Sequence, residues 1–270
     1  MPNVMLNQNR HGDVLKLHRD SAFGEVSIAR PMLETTGKMP MLETGTAHAI
    51  NYLRLGVAAN LTSSTGRGGA RNHASRESHA LTAAQIANLR AAKRHAAAIG
   101  LPFTRMITIH WQAAGLPLND MAKATGRFTD LMSKALARHG SRTVWLWVHE
   151  NGDNKGGHCH LLAHVPAKHV KRLSGLQKGW LRRITGNAYR ARVICSRPIG
   201  GRLGLEVGNP ELHAVNLRAA FGYICKGAPQ IVLDANGIDR RHEPGGRIIG
   251  KRCGTSQNIG AKARRNGAAE

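Results

Sequence analysis

Residues 149–166 read HENGDNKGGHCHLLAHVP, and two of them, His158 and His160, flank a single small residue. On a β-strand, residues i and i+2 point to one face, about 6–7 Å apart along the strand. Two imidazoles so placed can share one metal ion, while Cys159 between them would enter the opposite layer. NGDNKGG (151–157) has the composition of a turn, so the residues before it are expected to fold back as the hairpin partner. If that hairpin pairs Glu150 with His158, a carboxylate joins the two imidazoles on one face. Such a set, with open positions, suits Mg2+, Mn2+ or Zn2+. A one-residue slip of register would present His149 instead, and His164 lies on the same face further along. The pattern His-x-His decides little alone. With fifteen histidines in the chain it arises by chance about once, and its plain alternative is a pair of partly exposed histidines on an edge strand.

FGYICKG (221–227) adds a nucleophile. Tyr223 and Lys226 stand at i and i+3, so a helix projects both to one side. Leu212, Val215 and Ala219 fall on that side too, a stripe expected to pack the helix on the sheet and carry Tyr223 toward the histidines. A tyrosine hydroxyl can attack a phosphodiester and form a covalent intermediate. Its free pKa of about 10 means that it needs help, which a nearby metal and a lysine can supply. Without the histidines, the same residues describe a packing tyrosine and a surface lysine. The other two tyrosines, Tyr52 and Tyr189, are rival nucleophiles without a lysine at i+3.

These side chains need a scaffold. LTAAQIANLRAAKRHAAAIG (81–100) reads as a helix opened by a Thr82–Gln85 capping box. FTRMITIHW (103–111) reads as a strand, 118–140 as a helix, and 142–150 and 158–166 as the two hairpin strands. A basic amphipathic helix (167–185), a strand (189–197) and a helix (209–227) follow. The order β-α-β-β-α-β-α predicts an α+β fold, an antiparallel sheet carrying the histidine hairpin with helices packed on its faces. Residues 1–80 are expected to form a partly irregular N-terminal extension, with a basic loop at 64–78. Residues 81–230 would be the main domain with its leading helix, and 231–270 a basic, glycine-rich tail. GGRIIGKR (245–252) imitates a phosphate-binding loop, but Arg252 replaces the required hydroxyl, so it is assigned to the tail.

The charge balance names a partner. The chain has 39 Lys and Arg against 16 Asp and Glu, a net of +23, and residues 101–230 hold 19 of those cations and six of the acids. Such a field attracts polyanions, nucleic acid foremost. On the 167–185 helix, Lys168, Lys171, Arg172, Lys178, Arg182 and Arg183 share one side and are candidates for DNA contact. Val170, Leu173, Leu176, Trp180, Leu181 and Ile184 share the other. A solvated face is the default for such a charge run. No apolar run approaches the ~20 residues that span a bilayer, and the N-terminus lacks the apolar core of a signal peptide. Four scattered cysteines without a C-x-x-C pair argue against a disulfide framework or a cysteine zinc site, and for a reducing, cytoplasmic setting.

The combination of HCH on a strand, an acid on the preceding strand and Y-x-x-K on a later helix resembles the HUH endonucleases, most closely their single-tyrosine rolling-circle replication initiators. The resemblance covers roughly 103–227. FTRMITIHW matches the first motif of that family in character only, His158-Cys159-His160 matches the second, and Tyr223 with Lys226 the third. It implies a divalent metal, Mg2+ or Mn2+, on His158, His160 and Glu150, and attack by Tyr223 with Lys226 assisting. The product would be a 5′-phosphotyrosine and a free 3′-hydroxyl, on single-stranded or hairpin DNA at an origin, with a host helicase for unwinding. In relaxases of this superfamily the tyrosine precedes the histidines, and its small transposases tend to take a third ligand from a glutamine of the tyrosine helix. This helix has none, the nearest being Gln230. The alternatives are an HUH transposase or mobilisation relaxase, or a basic DNA-binding protein without catalysis.

Overall fold

The fold turns on one hairpin. In the computed structural model, which describes residues 75–153 and 155–266, strand β3 (Trp145–Gly152) turns back into β4 (Gly156–Ala163) with Glu150 opposite His158. The hairpin is the middle of a five-stranded antiparallel sheet. Strand β2 (Arg105–Ile109) pairs with the free side of β4, β5 (Ile194–Pro198) with β2, and β7 (Cys253–Thr255) with β3, giving the order β5-β2-β4-β3-β7. The fold is the α+β arrangement expected. Residues 1–74, with most of the expected extension and Tyr52, lie outside the described residues.

Side-chain alternation splits the core into two layers. On one face Ile107, Ile109, Trp147, Cys159, Leu161 and Ala163 pack under helices α2 (Met121–Ala137) and α3 (Val170–Thr185). On the other, Leu146, Val148 and Leu162 pack under α1 (Ala83–Ala98) and α5 (Pro210–Cys225), which follows the short α4 (Leu205–Gly208). The Thr82–Gln85 capping box opens α1 as read, with bonds of 2.9 and 3.2 Å. Asn209 caps α5, its side chain accepting the Leu212 N–H at 3.0 Å ahead of Pro210.

Three sequence expectations change. The helix α5 does not pack through Leu212 and Val215, which are 48% and 60% exposed. It buries His213, Leu217, Phe221 and Ile224 instead. On α3 the buried residue is Gln177 rather than Leu176. The strand expected from 189 starts only at Ile194, because Arg192 takes a left-handed φ of 66° that breaks an extended run.

The C-terminal segment is basic, as read, and also structural. Helix α6 (Gln230–Ala235) leads to β6 (Ile248–Ile249), which pairs with β1 (Glu77–Ser78), and β7 closes the sheet edge before α7 (Ala261–Asn266). The loop-like run 245–252 is part of this framework. Arg252 is buried, and its guanidinium donates to Ser78, His149, Gly245 and Gly246. Gly246 has φ +64°, and a Cβ there would run into the Asn151 carbonyl, so the segment can lie against β3 only as glycine. Among the described residues no helix is long and apolar enough to cross a membrane.

Candidate metal centre

The register that pairs Glu150 with His158 also sets His160 beside Thr108 of β2. All of these point to the face covered by α1 and α5. Glu150, His158 and His160 are each no more than 3% exposed. His158 Nε2 and His160 Nε2 are 3.2 Å apart, and they lie 3.4 and 3.5 Å from Glu150 Oε2. Among the described residues this is the one group of His, Cys, Asp and Glu side chains close enough to hold a single metal ion.

Hydrogen bonds on the far side of each ring orient the group. His158 Nδ1 is 2.8 Å from the Gly156 carbonyl. A carbonyl only accepts, so Nδ1 carries the proton and the lone pair of the neutral ring sits on Nε2. His160 Nδ1 is 3.0 Å from Thr108 Oγ1. When that hydroxyl accepts, His160 too presents an Nε2 lone pair. Two lone pairs and a carboxylate then face one another, an arrangement that a cation completes. Burial, the largest influence, pushes the His160 pKa down to about 4, so the ring is neutral at physiological pH. Burial raises the Glu150 pKa, but the neighbouring imidazoles and the Lys226 ammonium outweigh it and hold the carboxyl well below its usual range. Glu150 Oε1 is buried and has no hydrogen-bond partner. A carboxylate with an unused oxygen beside two imidazoles is a donor set that fits a divalent ion.

The last turn of α5 brings Tyr223 and Lys226 to the same place. The Tyr223 ring stands edge to face against His160, 5.0 Å between centroids. Lys226 Nζ is 2.6 Å from Glu150 Oε2 and 3.1 Å from Glu243, and 5.3 Å from the centre of the Tyr223 ring. Desolvation lowers the Lys226 pKa, yet the two carboxylates more than offset it, so the side chain is an ammonium. Burial raises the tyrosine pKa. Lys226 and Arg240 pull it down, and Glu150 and Glu243 push it up, for a net rise.

Some candidates are elsewhere. His149 points into the opposite layer, fully buried, bonded to Thr125 (2.8 Å) and to the Lys251 carbonyl (3.0 Å). His164 spends its Nδ1 proton on the Pro102 carbonyl at 2.7 Å and does not join the group. Cys159 enters the α2–α3 layer as expected. Tyr189 packs against that layer too. Lys168, Lys171, Arg172, Lys178, Arg182 and Arg183 are exposed on or beside α3, on the far side of the sheet from the triad.

Four residues were missed, Thr108 beside His160 and three more. His110, directly after β2, stacks on His158 at 5.4 Å between centroids. It shares strand parity with Thr108, a signal that becomes readable once β2 is paired with β4. Arg240 lies 5.2 Å from the Tyr223 ring centre and Glu243 pairs with Lys226. Both come from the segment read as a tail, where no local pattern marks them. No protein family, curated protein or solved structure matches the chain.

Proposed function

We propose that this chain is an HUH-type endonuclease that nicks and rejoins single-stranded or hairpin DNA through a 5′-phosphotyrosine on Tyr223, and that it initiates rolling-circle replication of a plasmid or phage. The observation that carries the proposal is the 5.0 Å contact between Tyr223 and His160. It sets a nucleophile from a helix against a buried carboxylate–imidazole set from a hairpin, about 70 residues apart in sequence on average. Glu150, His158 and His160 would hold Mg2+ or Mn2+. When bound, such an ion polarises the scissile phosphate and stabilises charge on the leaving oxygen.

The protein side chains do the rest. Tyr223 enters protonated, since its pKa is raised. Its oxygen attacks phosphorus: the Tyr–O–P bond forms and the P–O3′ bond breaks. The proton leaves the phenol for solvent, and the departing 3′ oxygen takes one up, so the products are a phosphotyrosine and a 3′-hydroxyl. Lys226, held by Glu150 and Glu243, stands fixed beside the ring, where its charge favours the phenolate as it develops. Arg240 adds a second cation at the same ring. Attack of a 3′-hydroxyl on the phosphotyrosine reverses the step and rejoins the strand.

A transposase-type site would draw its third ligand from a glutamine. Gln230 is engaged by Asp234, the Arg240 carbonyl and the His242 N–H, which supports Glu150 as the ligand and replication as the role. Unwinding is assigned to a separate helicase. The test is a denaturing gel of labelled single-stranded oligonucleotides from the replicon that carries the gene, with Mn2+ or with EDTA. The wild type is expected to give a covalent protein–DNA band only with metal, and Tyr223→Phe none. Binding without cleavage by the wild type across many oligonucleotides would leave a basic DNA-binding protein.

A further inference from the structure

The six cations of the 167–185 segment have no acidic partners among the described residues. No carboxylate lies between residues 167 and 185, and none of the six makes an ion pair among the described residues. Lys168, Lys171 and Arg172 crowd the N-terminal end of α3, where the helix dipole disfavours positive charge. Lys178 and Arg182 repel each other at i,i+4. Gly175 and Gly179 share this outer surface. A Cβ at either would meet nothing within 4 Å, so packing does not call for a glycine that weakens a helix by about 1 kcal/mol relative to alanine. Arg182 and Arg183 suit the dipole in the last turn and Lys178 lies over the Tyr189 ring at 5.4 Å, but nothing among the described residues neutralises the six charges. An external polyanion that comes close to the helix backbone does.

We propose that the outer face of α3 is a second nucleic-acid surface that takes the phosphate backbone of a DNA duplex, on the side of the sheet opposite the triad. The chemistry of the face selects this partner. Its aromatics offer little to unpaired bases, since Trp180 is 8% exposed and Tyr189 is half-buried beneath Lys178. What it offers is charge over roughly 22 Å from Lys168 to Arg183, at 1.5 Å per residue, a length over which a duplex presents many phosphates. An anionic bilayer fits less well. Surface-bound helices insert an apolar face, and here Val170, Leu173, Trp180, Leu181 and Ile184 are committed to the core. With the sheet between them, the triad and this face would hold different segments of DNA. The surface stands whether or not Tyr223 cuts DNA.

The test is fluorescence anisotropy with the full chain, a labelled duplex of about 30 base pairs and EDTA throughout, titrated across salt. One variant carries Lys171→Gln, Lys178→Gln and Arg182→Gln. A control removes the same charge from the other layer, with Arg94→Gln, Arg218→Gln and Arg241→Gln. All six positions are exposed, and thermal melting checks that both variants fold. The α3 variant is expected to lose at least about tenfold in affinity near 0.1 M salt, and its log–log salt slope to flatten by about 2.7, close to one unit per contact. Arg182→Gln alone is expected to flatten it by about one unit, and the control to stay near wild type. Equal losses in the two triple variants, or an unchanged α3 variant, would overturn the proposal. So would binding to phosphatidylserine vesicles, but not duplex, that the α3 variant abolishes.

Discussion

Lys226 and Glu150 form a buried ion pair of 2.6 Å on the same carboxylate oxygen that faces both histidines. The pair ties the end of the tyrosine helix to the hairpin. It also places an ammonium where a metal ion would share the oxygen. Lys226 has a second partner in Glu243 at 3.1 Å, so it can give up part of its bond to Glu150 and remain paired.

Removing the lysine therefore strands a charge. Lys226→Met leaves Glu150 2% exposed with neither oxygen paired to a cation. Breaking a buried pair this way costs about 3–5 kcal/mol. Urea unfolding in EDTA should reveal most of that loss, and saturating Mn2+ should restore much of it, because the ion replaces the missing charge. A loss of equal size with and without Mn2+ would make Lys226 a packing residue with no link to a metal.

Thr108 orients His160 without touching a metal. Thr108→Val removes the acceptor at Nδ1 and frees the ring to hold its proton on Nε2. Losses of about 10–100-fold in metal affinity are typical of such changes. Competition for Mn2+ or Co2+ against a fluorescent chelator should show a drop in that range, with the melting temperature in EDTA little changed. An unaltered affinity would mean that the hydroxyl does not set the tautomer.

Two buried histidines predict an acid-sensitive fold. Burial pushes His149 down to about 3 and His160 to about 4, from 6.5. Both values are depressed, so below pH 6.5 the unfolded chain takes up protons that the folded chain refuses. Stability is then level above pH 6.5 and falls as pH drops toward 4, by about 1.4 kcal/mol per pH unit for each histidine. Urea unfolding in EDTA at several pH values measures the slope. His149→Gln should be less stable at neutral pH and show a shallower fall. A profile that is flat between pH 6.5 and 5 would contradict the neutral assignment.

The site was legible where local rules govern it. Turn composition and strand parity offered the Glu150–His158 register beside a slipped one that would present His149, and the pairing of β3 with β4 decides for the first; i,i+3 spacing gave Tyr223 with Lys226. His110 and Thr108 needed the pairing of β2 with β4, which joins residues some 50 positions apart and leaves no local mark. The buried side of α5 was misjudged because apolar residues surround much of that helix, so periodicity alone does not choose between the Leu212–Val215 stripe and the His213–Leu217–Phe221 stripe. Arg240 and Glu243 escaped for a different reason. Their segment has the glycine and charge content of a tail, and it is held in place by backbone contacts such as Glu243 N–H to the Lys226 carbonyl.

The most direct test of the account is to find which tyrosine carries DNA. The wild type would react with a cleavable single-stranded oligonucleotide in Mn2+, followed by nuclease and trypsin digestion and mass spectrometry. The account predicts a nucleotide adduct on AAFGYICK, residues 219–226, and none in EDTA or in His160→Ala. An adduct on the peptide of Tyr52 or Tyr189, or cleavage that leaves no tyrosine adduct, would contradict it.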